Sequence, residues 1–256
     1  MVGPSALEKA MPHMNVRDLG RLREIAAVLA RHGFGFLFQG TPIDVGGEDS
    51  SSPLSVAERV RQVLVELGPT FVKLGQVLSV RPDILPGAFI KEFEKLQERV
   101  DPVGFGAIKE HLEREWGVAI SDRLQSIDEQ PLASASMAQV HRAVLVDGTT
   151  VAIKIQRPEI EGRIRSDLHI LYTLAQLVTG RLEMPGFYTP VGVVQEFEAA
   201  MNLELDFLQE ARAIERFRGY FKDHPDITAP DVYEEFNTRR VLVLELLQLV
   251  CLLLLE

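Results

Sequence analysis

Apolar residues recur every three or four positions through the first third of the chain, then alternate with polar ones, and then return to the longer period. The spacing of Leu19, Leu22, Ile25, Val28 and Leu29 predicts an amphipathic helix over residues 17–31 that runs into a GFGFLF segment at 33–38. A Gly/Ser/Pro-rich stretch at 39–53 breaks the pattern and reads as a linker. Residues 54–67 are helical again, Gly68-Pro69 punctuates them, and proline suits the first turn of a second helix to about Val80 whose stripe is Phe71, Leu74, Val77 and Leu78. Arg81-Pro82 ends that helix. Pro86 opens another through Arg99, and Phe105, Ile108, Leu112 and Trp116 line one side of a helix over 105–116.

The period then changes to two. Residues 139–146 and 150–156 are rich in Val and Ile, and Asp147-Gly148 between them is a hairpin turn signal. Pro158 begins a long helix to about Thr179, with Ile160, Ile164, Leu168 and Leu171 on one stripe. After the loop RLEMPGFYTP, one continuous helix is expected from Val191 to about Tyr220, carrying Val194, Phe197, Met201, Leu205 and Leu208. Two further strands are expected, Asp231 to Phe236 and Arg240 to Leu246, joined across Asn237-Thr238.

On the strand VAIK, Val151 and Ile153 point to one face and Ala152 and Lys154 to the other. An ammonium on so apolar a strand needs a phosphate or a carboxylate, because burying it unpaired costs several kcal/mol. A strand lysine preceded by a small-residue loop and followed by a helix bearing glutamates has the layout of a kinase N-lobe, and Glu210 is the candidate partner. The alternative is a strand-edge lysine that snorkels to water. The candidate phosphate-binding loop is Leu132, Ala133, Ser134, Ala135, Ser136, Met137, Ala138, Gln139 and Val140. It holds no glycine, so alanine and serine must provide the tight turn that glycines ordinarily allow; the alternative is an ordinary polar loop. His141 reads as a hydrogen-bonded structural residue. In the helix from Pro69, Lys73 and Gln76 lie three apart and share a face, and Gly75 between them suggests close approach of a backbone or ligand. Asp206 and Glu210 lie one turn apart on the expected long helix, with Glu204 displaced around its axis.

Composition narrows the classes. With 256 residues and 46% hydrophobic content the chain can bury a real core. A net charge of −10 without a basic run excludes a nucleic-acid partner. The single cysteine, Cys251, allows neither an internal disulfide nor a cysteine framework for zinc and fits a reducing compartment. Residues 1–14 lack the apolar core of a signal peptide. The apolar run 241–255, interrupted only by Glu245 and Gln248, falls short of the roughly 20 residues a membrane span requires.

GPTFVKLGQVLSVRPDILP at 68–86, PLASASMAQVH at 131–141, VAIKIQRP at 151–158 and ELDFLQEA at 204–211 resemble, in this order, the motifs of the UbiB (AarF) family of atypical protein-kinase-like proteins. The resemblance covers roughly residues 17–245. It implies an α+β kinase-like N-lobe of about five antiparallel strands with helices around it and a helical extension before it. It also implies that the KxGQ residues Lys73 and Gln76 contact the ExD residues Glu204 and Asp206 and so block the groove that peptide substrates use. By the same resemblance an alanine-rich loop maps to Ala133–Ala138, with Ser134 in place of the commoner alanine, and Lys154 pairs with Glu210. Family members bind ATP with Mg²⁺, hydrolyse ATP and support biosynthesis of ubiquinone or other isoprenoid quinones at membranes. The implied partners are therefore ATP, a membrane surface and quinone-biosynthesis proteins, and the implied location is cytoplasmic and peripheral at the inner membrane.

The sequence departs from that family after Glu245, where LLQLVCLLLLE stands in place of a glycine-bearing hinge and no catalytic-loop Asp and Asn or DFG-type Asp follows. This reads as truncation after the N-lobe, with no catalytic residue and no metal ligand identifiable. The expected division is a helix and linker at 1–53, a helical extension at 54–130, a kinase-like N-lobe at 131–246 and an apolar tail at 247–256. The rival readings are a non-catalytic module whose helices at 17–31 and 69–80 dock on a bilayer or a quinone-biosynthesis partner, and a non-functional truncated product.

Overall fold

The computed structural model describes residues 16–35, 54–96, 100–179 and 188–247. The linker at 39–53, the last three residues of the GFGFLF segment, the loop from 181 to 187, the apolar tail from 248 and Cys251 lie outside the described residues. In chain order the helices are α1 (Val16–Leu29), α2 (Val56–Leu67), α3 (Pro69–Ser79), α4 (Gly87–Phe93), α5 (Phe105–Trp116), α6 (Ile160–Val178), α7 (Pro190–Glu204) and α8 (Phe207–Tyr220). The strands are β1 (Leu124–Ile127), β2 (Ala133–Ser134), β3 (Ala138–Leu145), β4 (Thr150–Gln156) and β5 (Val241–Glu245).

The chain folds into two compact units, each built from two stretches. Met1–Glu98 joins Glu161–Ala199 in the first, and Arg99–Ile160 joins Ala200–Glu256 in the second.

The first unit is helical. Its core gathers Leu22, Ile25 and Val28 of α1 with Leu64 and Leu67 of α2, Phe71 and Val72 of α3, Phe93 of α4, Leu96 just after it, and Ile170 of α6. The apolar stripe of α1 is therefore interior. A capping box starts α2, where Ser55 accepts the Glu58 N–H and the Glu58 carboxylate accepts the Ser55 N–H. Gly68, at φ +96°, then turns the chain and Pro69 takes the first position of α3. Beneath this core lies a buried polar knot. Arg21 Nε donates to Asp167 Oδ1 at 2.6 Å, Thr70 Oγ1 to Asp167 Oδ2 at 2.6 Å, and Arg21 Nη2 to the carbonyl of Leu67 at 2.6 Å.

The second unit holds a five-stranded antiparallel sheet of order β1-β3-β4-β5, with β2 also pairing β3. Side chains alternate across it. Val151, Ile153 and Ile155 of β4 and Val241 and Val243 of β5 pack against Ile108, Leu112 and Trp116 of α5. The opposite face carries Ala138, Leu242 and Leu244, covered by Phe207 and Ala211 of α8. An α+β fold with a five-stranded antiparallel sheet agrees with the expected class.

Several elements differ from the sequence expectation. The helix expected over 191–220 is two helices, because the side-chain amide of Gln156 takes the carbonyl of Leu205 at 2.6 Å, the Phe207 N–H is drawn to the carbonyl of Arg239 at 3.1 Å, and Asp206 caps a new helix by accepting the Leu208 N–H at 3.1 Å. Asp206 is thus a cap, not a residue one turn before Glu210 on a continuous face. The strand expected at 231–236 is an isolated bridge, Val232 to Leu244, followed by a 3₁₀ turn at Glu234–Phe236. Asn237 Oδ1 occupies the Val243 N–H at 2.7 Å, and the Trp116 indole takes the Phe236 carbonyl at 2.8 Å, so the ladder has no partners to extend. The helix expected from Pro86 to Arg99 spans only Gly87–Phe93, and Arg99 lies outside the described residues. Two short strands, β1 and β2, appear where none is expected.

Candidate functional site

Lys154 occupies the middle of β4, opposite Val140 on one neighbouring strand and Leu242 on the other. Its face of the sheet is the one that α8 covers. The ammonium lies 5.0 Å from the centroid of the Phe207 ring and donates to both carboxylate oxygens of Glu210, each at 2.9 Å. Phe207 and Glu210 both belong to the first turn of α8, so the capping residue Asp206 sets the position of both. With the lysine side chain 17% exposed and the glutamate 30%, the pair is anchored on protein and open to solvent at its tip. A cation held this way can take a phosphate oxygen without first losing its only counter-charge.

The segment 132–140 is a tight hairpin, not an open loop. Ala133 pairs with Val140 and Ser134 with Gln139, and the turn closes through the Ala135 N–H donating to the Ala138 carbonyl at 2.9 Å. Ala138 and Val140 share the face of Lys154. Gln139 points to the other face, fully buried, where it hydrogen-bonds the backbone of Val103 and contacts His141 Nε2 at 3.2 Å. Ser136 and Met137 are buried within the turn, and Leu132 is 41% exposed before it. His141 Nδ1 meets the Asp128 carbonyl at 2.8 Å, and burial holds its pKa below the ordinary imidazole value. It is a structural histidine.

Sequence reasoning passed over Gln156 and Arg157. Gln156, 2% exposed, fixes the break between α7 and α8. Arg157 follows it and reaches under the hairpin turn: Nε donates to the Ala135 carbonyl, and Nη2 to the Ser134 hydroxyl and the Asp101 carbonyl, each at 2.8 Å. The available signal was a glutamine closing the apolar strand β4 and an arginine directly after it, two long polar side chains next to buried positions.

Lys73 and Gln76 stand half-buried on α3 in the first unit, and Gln76 Nε2 donates to the Leu96 carbonyl at 3.4 Å. The close approach foreseen at Gly75 is made by side chains, since a Cβ there would fall inside those of Leu96 and Leu64. Glu204 and Asp206 belong to the second unit, at the end of α7 and the start of α8. Among the described residues no group of three or more His, Cys, Asp or Glu side chains is arranged to hold a metal ion. No described helix is long and apolar enough to cross a membrane.

Residues 95–252 match the family model of the ABC1 atypical kinase-like domain. The chain belongs to that family. Relatives of this ABC1 chain include a probable protein kinase UbiB of Cellvibrio japonicus, 38% identical over 75% of the chain and 35% of that protein. The Arabidopsis thaliana protein named ACTIVITY OF BC1 COMPLEX KINASE 7, chloroplastic, is 37% identical over 78% of the chain and 29% of that protein. Among solved structures, that of the Mycobacterium tuberculosis protein Rv3197 with erythromycin matches at a TM-score of 0.50 and 29% identity, over 75% of the chain and 48% of that protein. The ABC1 chain spans 35% and 29% of the length of these two relatives, and 55% of that of a further one from Synechocystis that is 34% identical.

Proposed function

We propose that this chain is the ATP-binding portion of a UbiB-type atypical kinase or ATPase that acts in the biosynthesis of ubiquinone or another isoprenoid quinone. The observation that carries the reading is the bidentate pair between Lys154 and Glu210 on the sheet face bordered by the hairpin of Ala133–Ala138. In kinase chemistry a strand lysine held by a helix glutamate positions nucleotide phosphates, and positioning with charge neutralisation is nearly all of the catalysis. Lys154 would hold phosphate oxygens and Glu210 would keep it aimed, with the alanine-serine turn of the neighbouring hairpin contributing to the same phosphate site. The residues described supply no cluster for Mg²⁺, so no step is assigned to it. The quinone link and any membrane or protein partner at the inner membrane rest on family resemblance, as does a regulatory role for Lys73, Gln76, Glu204 and Asp206.

Calorimetry of Mg-ATP binding to the purified chain tests the reading. Wild type is expected to bind and Lys154→Ala to lose most of the affinity while melting cooperatively. Binding that survives in a folded Lys154→Ala variant, or is absent from a folded wild type, would overturn it.

A further inference from the structure

The turn of the hairpin is held from below by one side chain. Four acceptors surround the Arg157 guanidinium, the Val100 carbonyl being the longest contact at 3.5 Å, and the Arg157 backbone N–H donates to the Met137 carbonyl at 2.9 Å. The four acceptors come from two pieces of chain: the Val100 and Asp101 carbonyls before α5, and the adjacent Ser134 hydroxyl and Ala135 carbonyl where β2 enters the turn. No carboxylate oxygen is among these contacts, so the cation is satisfied by neutral oxygens fixed in one place. Burial accordingly lowers its pKa from the ordinary guanidinium value, with the charge of Asp101 opposing.

The contacts also set the turn's backbone. In a trans peptide the carbonyl and the following N–H point in opposite directions. Drawing the Ala135 carbonyl toward the guanidinium therefore turns the peptide N–H of Ser136 to the opposite side, whereas the Met137 carbonyl is held by the Arg157 backbone and not by its side chain. A glycine loop reaches phosphate with conformational freedom, whereas this alanine-serine turn has none to spare. Resting on the nucleotide reading above, we infer that Arg157 is a positioning residue for the phosphates of the bound nucleotide. It acts through the peptide plane between Ala135 and Ser136 and through the Ser134 hydroxyl, with no contact of its own with the ligand. The fork shape matters as much as the charge, because a lysine presents one point of attachment where the guanidinium bridges two pieces of chain.

The test compares ATP with adenosine on the full chain, for wild type, Lys154→Ala, Arg157→Ala and Arg157→Lys, with thermal melts of each. Loss of one charge-assisted hydrogen-bond set predicts ATP affinity about tenfold weaker in Arg157→Ala and only partly restored in Arg157→Lys. Adenosine affinity is expected to change less than about twofold, since the loss is confined to the phosphate end. An Arg157→Ala variant that folds and binds ATP like wild type, or weakens for ATP and adenosine alike, would sink the inference. Where Arg157→Ala fails to melt cooperatively, Ser134→Ala decides by removing one acceptor alone: an ATP-selective loss supports the role, and unchanged ATP affinity ends it. Lys154→Ala binding ATP like wild type would instead overturn the underlying nucleotide reading.

Discussion

The side-chain amide of Gln156, at the end of β4, donates to the backbone carbonyl of Leu205 at 2.6 Å, 49 positions away in the sequence. A second acceptor, the carbonyl of Arg239, lies at 3.3 Å. This one side chain ties the lysine strand, the start of α8 and the approach to β5, and it fixes where the helix carrying Glu210 begins.

Gln156→Leu should therefore cost more than an average substitution. It leaves a buried carbonyl at Leu205 without its donor, a loss of about 2 kcal/mol. Urea denaturation of the variant should show the lower midpoint with an unchanged slope, and Mg-ATP affinity should fall with it because Phe207 and Glu210 follow Leu205 directly.

Glu210→Gln separates structure from site. The Lys154 pair is partly exposed, so its removal should lower stability by no more than about 1 kcal/mol. Nucleotide affinity should drop much further, because an unguided lysine no longer points at one place. Equal, small changes in both measurements would assign the pair to stability alone.

Asp167 in the first unit has no exposed surface and is met by Arg21 and Thr70. Arg21→Met removes the counter-charge and strands the carboxylate, at a cost of about 3–5 kcal/mol. The triple change Arg21→Met, Asp167→Leu, Thr70→Val should recover most of that loss in a thermal melt, since replacing the whole buried knot removes the desolvated charges together.

Acid should destabilise the fold through His111 and His141. Burial holds both imidazoles below the ordinary value of 6.5 in the folded chain. As pH falls through that value the unfolded chain takes protons first, so stability complete above about pH 6.5 is lost progressively below it. Neither ring nitrogen of His111 has a hydrogen-bond partner, so His111→Leu should be neutral or stabilising near pH 7.5 and should shrink the loss measured near pH 5.5. An unchanged acid loss in that variant would rule out this residue as a source.

Elements whose information is local follow from the order of residues alone. The β3–β4 hairpin follows from period-two alternation around Asp147-Gly148, and Gly148 adopts the positive φ of +92° that such a turn requires. Helix α5 runs from Phe105 to Trp116, as its stripe implies. The need of Lys154 for a partner was legible from one charge on an apolar strand, and the kinase layout pointed to Glu210.

Tertiary structure decided what depends on distant chain. Periodicity carries Val191 to Tyr220 as one helix, and only the demands of Gln156 and Arg239 on the backbone at Leu205 and Phe207 break it. Strands β1 and β2 are too short to announce themselves, and each exists because β3 offers it an edge. Arg157 looks like a surface arginine until the hairpin folds over it and brings Asp101, Ser134 and Ala135 to one guanidinium. Within the first unit, α6 likewise joins the N-terminal helices through Ile170, because apolar faces seek the core that buries them and not their neighbours in sequence.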